Sequence, residues 1–169
     1  MKAALACAAL PALGACATVS PEVTPAPAAG APTIAISVGP CFGFCPVYDV
    51  KVAADGAVAF TGTRHTAVLG TRERRVTPHV YRALAADLAP FRPADGSTAA
   101  VPCAVTISDM PTYTITWTGP AGQQTVATHR GGCREGEGRD LDIVLRALPQ
   151  RLGIEEWMRQ TTRPGVSRG

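Results

Sequence analysis

The stretch CFGFCPVYDVKVAADGAVAFTG, from Cys41 to Gly62, constrains this chain more than any other. It sets two cysteines four residues apart, follows the second with Pro46, and passes straight into two short strands. Tyr48, Val50 and Val52 alternate with Asp49 and Lys51, the period of two of a half-buried strand. Asp55-Gly56 is a hairpin turn signal, and the returning strand carries Val58 and Phe60 inward. The folded part is therefore expected to begin as sheet, beside a loop with a cysteine at each end.

The address of the chain is written before that stretch. Lys2 supplies a positive n-region, and Ala3 to Leu13 is an apolar run too short to span a bilayer. It ends Leu13-Gly14-Ala15-Cys16, which resembles the lipobox of bacterial lipoproteins, with a leucine three residues before the cysteine and small residues between. The resemblance implies that residues 1–16 form a lipoprotein signal and that Cys16 is lipidated. More than one acyl chain anchors stably, at about 0.8 kcal/mol per buried methylene. Ala17, a non-acidic residue after the cysteine, looks like the outer-membrane sorting pattern of such proteins. The expected location is the cell envelope, lipid-anchored and facing the periplasm. Residues 17–32 hold Pro21, Pro25, Pro27 and Pro32 without apolar periodicity, the composition of a semi-extended tether.

After the tether, residues 33–160 are expected to form one domain and residues 161–169 a loose tail. Apolar residues make up 46% of the chain but aromatics only 5%, so the core is modest and covalent staples matter. The net charge of +3 comes almost wholly from arginines scattered along the chain, without the clustered stripe of a nucleic-acid binder. Thr33 to Val38 reads as a first strand and Thr71 to Val76 as an arginine-rich edge. Thr77-Pro78 starts a helix with Val80, Tyr81, Leu84 and Leu88 inward, stopped by Pro90. Residues 92–100 read as a loop and 101–108 as a strand. Thr112 to Thr118 and Gln123 to His129 form a second hairpin. A closing helix is expected over 139–148, with Asp140 and Asp142 near its positive end and Pro149 breaking it. A short helix follows near Trp157. The expected fold class is α+β: a small antiparallel sheet from two or more hairpins, with two main helices packed on one face.

Four cysteines lie in the exported domain: Cys41, Cys45, Cys103 and Cys133. An even number in an oxidising compartment argues for two disulfides, and three connectivities are open. We favour Cys41–Cys45 with Cys103–Cys133, which clips the loop before the second hairpin to the loop after it. Cys-x3-Cys-Pro also looks like the copper motif of Sco-type chaperones. That resemblance implies a Cu(I) site at Cys41 and Cys45, with His129 or His65 as a third donor. In those proteins the motif leads into a helix, whereas here it leads into a hairpin with no helix N-terminus to lower a thiol pKa. His65, His79 and His129 lie far apart and in no metal-ligand spacing. No nucleophile elbow occurs, and Gly131-Gly132-Cys133 lacks the lysine of a phosphate loop.

The domain as a whole resembles an uncharacterised family of bacterial envelope domains. Its hallmark is Cys-Phe-Gly-x-Cys-Pro-x-Tyr, then Asp-Gly and a glycine ending the next strand, here residues 41–62. The resemblance spans roughly Thr33 to Met158, and it implies a small extracytoplasmic domain in which Cys41 and Cys45 lie together. Cys103 and Cys133 fall outside that signature. The leading expectation is non-enzymatic: a disulfide-stapled, lipid-anchored module that binds an envelope protein or a cell-wall component, without cofactor or nucleic acid. The alternative is a periplasmic thiol–disulfide or Cu(I)-handling protein using Cys41, Cys45 and His129.

Overall fold

The computed structural model describes residues 30–161. Cys16, the expected signal and nearly all of the expected tether fall outside the described residues, as does the expected tail beyond 161. Seven strands run in chain order: β1 (Thr33–Val38), β2 (Val47–Val52), β3 (Ala57–Arg64), β4 (Gly70–Arg75), β5 (Thr98–Ala100), β6 (Thr112–Thr118) and β7 (Gln124–Arg130). Helix α1 (Pro78–Leu88) lies between β4 and β5, and α2 (Gly136–Leu152) and α3 (Glu155–Met158) follow β7. The strands form one sheet in the order β4-β3-β2-β1-β6-β7-β5.

This corrects the expected small antiparallel sheet from hairpins with two main helices. The sheet has seven strands, is mixed, and is accompanied by three α-helices. Two features account for the difference. Strand β1 pairs with β2 on one side and β6 on the other, which welds both hairpins into a continuous sheet. The short strand Thr98–Ala100 then adds to β7 in parallel. Small, exposed residues with no apolar alternation carry no strand signal, and a parallel partner across an intervening hairpin is a long-range pairing.

One face of the sheet is the core face. Ile34, Ile36, Val50, Val52, Phe60 and Ile115 are buried there against Tyr81, Leu84 and Leu88 of α1 and Leu141, Leu145, Leu148 and Leu152 of α2. The leucines of α2 recur at helical spacing, so one stripe meets the sheet while Arg139 and Arg146 stay outside. Pro149 does not break α2. It loses a single backbone bond in the last turn, and the helix closes beyond it: Gly153, at φ 63°, donates to the Gln150 carbonyl and Ile154 to the Pro149 carbonyl. Ile154 is then fully buried. The arginine-rich β4 is tied down from the same corner, since Arg74 lies over the Trp157 ring and bonds the Gly153 carbonyl. Thr77 precedes α1 as expected, but its side chain makes no cap. Gly62, near the end of β3, faces a crossing backbone: a Cβ there would fall onto the Val68 carbonyl oxygen.

The three tyrosines all sit in this framework. Burial raises each phenol above its ordinary value of 10.0, with the Tyr113 charge adding to the effect at Tyr48 and Arg92 opposing it at Tyr81. The neutral phenol is thus the form the folded state prefers. Their contribution is fully present below the unfolded pKa of about 10 and is lost as pH rises above it. In an alkaline titration we expect phenolate absorbance to appear above pH 10 and together with loss of circular dichroism. Three phenols ionising near pH 10 with the fold intact would contradict the packing described.

Candidate functional site

Because neighbouring strands alternate in direction, four connectors meet at one end of the sheet: 39–46, 65–69, 101–111 and 131–135. Both disulfides lie there. Cys41–Cys45 closes the first connector on itself, and Cys103–Cys133 joins the third to the fourth, each with Cα atoms 5.7 Å apart. Pro46 and a register shift at Val47/Tyr48 end the first connector and start β2. Phe44 meets His65 edge-on at 5.3 Å, which brings the first two connectors together.

The expected strand over 101–108 is not part of the sheet, and its backbone bonds explain why. Val101 donates to Thr128, but Ile107 donates to the Gly132 carbonyl at 2.9 Å, Arg134 to Val105 at 3.0 Å and Gly131 to Pro111 at 2.9 Å. The segment is laced to the connector after β7 instead of to a strand. That lacing buries Gly131, Gly132 and Cys133, a loop whose amides then need acceptors away from water.

Asp142 supplies them. It stands in the second turn of α2 on the buried stripe, and its Oδ2 accepts the amides of Gly132 at 2.9 Å and Cys133 at 2.8 Å. Its Oδ1 lies 2.9 Å from Nε2 of His129, on the core face of β7. A carboxylate that already takes two amide protons calls for a proton on Nε2, and in the neutral ring that tautomer leaves the lone pair on Nδ1. Nδ1 is buried and has no hydrogen-bond partner. Tyr113, opposite on β6, stacks on the His129 ring at 6.3 Å, and burial followed by the Asp142 charge holds its phenol up. Gly138, one turn before Asp142, lies so close to the bridge that a Cβ would meet Cys133 Sγ and the Pro102 carbonyl. A cleft of about 480 Å³ opens beside the Cys103–Cys133 bridge, lined by Cys103, Thr106, Thr128 and Arg130 among others, while the His129 side chain itself has no exposed surface.

The residues singled out in the sequence are thus sorted in a particular way. Cys41 pairs with Cys45 and Cys103 with Cys133. His129 is grouped with Cys133 and Asp142, whose ligand atoms lie within 4.8 Å of one another; among the described residues Cys41 and Cys45 join no such group. His65 lies in the 65–69 connector at φ 61°, and His79 is exposed on α1. Asp142 was readable only as a companion of the helix dipole. Its signal was position: it stands four residues after buried Gly138 and three before Leu145, a carboxylate on an apolar stripe.

The same end of the sheet carries the exposed apolar side chains. Phe42 is 89% exposed at the tip of the Cys41–Cys45 loop, with Phe44, Leu69, Val105, Ile107 and Met110 exposed on the other connectors. The remaining large exposed hydrophobic among the described residues, Ile143, is on α2. His65 and Asp109, the two described non-glycine residues with left-handed backbone, also lie in these connectors.

Fold and site define a mixed-sheet domain with a disulfide-clamped loop end around a buried histidine–aspartate pair. Residues 32–151 match the family described as Domain of unknown function (DUF6438), and the chain belongs to that family. The match runs from just before β1 into the last turn of α2 and so contains both disulfides, His129 and Asp142. No curated protein and no solved structure matches the chain.

The clamps should differ in weight. In the chain-entropy account, removing Cys103–Cys133 by the double alanine substitution costs roughly 3–4 kcal/mol and removing Cys41–Cys45 about 2 kcal/mol. Asp142→Ala strands three donors and should cost roughly 3–5 kcal/mol. Urea unfolding of the four proteins measures this, and equal losses for the two disulfides would refute the ordering.

Proposed function

We propose that this protein is a lipid-anchored module of the cell envelope that works by binding, with the loop end of the sheet as its contact surface. This reading rests on the gathering of Phe42, Phe44, Val105, Ile107 and Met110 on connectors clamped by two disulfides, with Leu69 on the neighbouring 65–69 connector. Apolar side chains held out of the core cost solvation unless a partner covers them, and such patches mark interaction sites. The clamping reduces the entropy lost on binding. Met110 and Ile107 both border Gly132, so part of the surface is continuous across two connectors.

The partner this chemistry favours is an apolar segment of another envelope protein. The open face of the sheet fits such a role less well: it presents small residues with charges of both signs, Asp49, Lys51, Glu73 and Arg75. The anchor rests on the n-region, the apolar run and Leu13-Gly14-Ala15-Cys16. It stands the domain off the membrane by the length of the tether.

Replacing Phe42, Ile107 or Lys51 singly by a photo-crosslinking residue in cells tests the surface. The expected outcome is the same discrete protein adduct from positions 42 and 107 and none from 51, with the chain in the membrane fraction and released from it by Cys16→Ser. Adducts from position 51 alone would move the contact to the open face. A Cys16→Ser chain that stays membrane-bound would remove the lipid anchor.

A further inference from the structure

The geometry points to a second, redox-gated role for the Cys103–Cys133 bridge: once reduced, Cys103, Cys133 and His129 form a binding site for a thiophilic metal ion, zinc(II) or copper(I). The key atom is Nδ1 of His129. It is a basic nitrogen on a side chain with no exposed surface, it has no donor beside it, and the opposite ring nitrogen is held by a buried carboxylate. A histidine fixed through one nitrogen by a carboxylate, with the other nitrogen open, is how proteins orient a metal-ligating imidazole.

The sulfur of Cys133 lies near the His129 ring. The Cys133 sulfur shares the 4.8 Å cluster with the His129 ring and the Asp142 carboxylate, and Cys103 is bonded to Cys133. With Cα atoms 5.7 Å apart, two freed thiolates reach one ion at the usual metal–sulfur distance of about 2.3 Å. The cleft lined by Cys103 and Thr106 lies beside the bridge and gives an ion its approach to the Cys103 sulfur. Two thiolates and an imidazole suit either ion: copper(I) with three donors, zinc(II) with the water added.

The bridge decides whether the site exists. In the disulfide the sulfurs are bonded to each other and bear no charge. A dithiol reductant transfers two electrons and two protons, breaking the S–S bond to give two thiols while the donor becomes a disulfide. Binding of the ion then releases the two thiol protons to solvent. Asp142 is a positioning residue here, since it holds the ring through Nε2 and donates nothing to the ion.

The test uses the full-length chain, oxidised or reduced and kept anaerobic, titrated with zinc(II) and with copper(I) against a competing chelator. Cobalt(II) is a third probe, read through its thiolate charge-transfer absorbance. The reduced protein should bind one equivalent and the oxidised protein none. Cys41→Ser/Cys45→Ser should keep that equivalent, whereas Cys103→Ser and His129→Gln should each weaken binding at least tenfold. Asp142→Asn should weaken it about 10- to 100-fold with the cobalt thiolate band retained. Whichever ion competes better with the chelator identifies the natural occupant. No binding by the reduced protein overturns the proposal, as does binding lost in Cys41→Ser/Cys45→Ser and kept in Cys103→Ser. Should His129→Gln not fold, Cys103→Ser on the half-exposed loop still decides the matter.

Discussion

The loop end of this domain depends on one carboxylate. Asp142 accepts three donors from two neighbouring segments, β7 through His129 and the following connector through Gly132 and Cys133. It sits on the helix stripe that also carries Leu141 and Leu145, so the core fixes where the carboxylate points. A buried carboxylate is costly unless its lone pairs are filled. Here they are filled by the amides that a buried loop would otherwise leave unpaired, so each side removes the penalty of the other. The bridge to Cys103 and the lacing of 105–111 follow from where that loop is held.

The two ends of the sheet consequently differ. At one end, β2–β3 and β6–β7 are joined by tight local turns, as where Asp55 accepts the Ala57 amide and then Arg75, interactions that hold its carboxyl below the usual range. At the other end, longer connectors carry both disulfides, both strained non-glycine residues and most of the exposed apolar side chains. A rigid sheet with one clamped loop end is a common way to present a binding surface.

Single strands were legible in the sequence, the seven-stranded mixed sheet they build was not, and the failures have physical causes. Period-two alternation found β1, β2, β3 and β6 because each buries only one face, so the pattern survives in the residues. It could not find Thr98–Ala100, whose three small, exposed residues join the sheet through backbone bonds alone. Residues 101–108 carry alternating Val105 and Ile107, which read as a strand. Those side chains are exposed, and the hydrogen bonds go to a loop. Pro149 read as a stop, whereas the buried Leu152 and Ile154 beyond it outweigh one lost bond. Of the candidate site, the cysteines were legible as residue types. The grouping of His129 with Asp142 was not, because it arises from helix packing across the sheet.

The central claim is that Asp142 makes the connector after β7 as rigid as the core. Amide hydrogen exchange at Gly132 and Cys133 tests it most directly, because both lie in a loop but donate to a buried acceptor. Both amides should exchange as slowly as those of β1, through global unfolding, and Asp142→Asn should accelerate these two far more than β1. Fast exchange at Gly132 and Cys133 in the unmodified protein would contradict it.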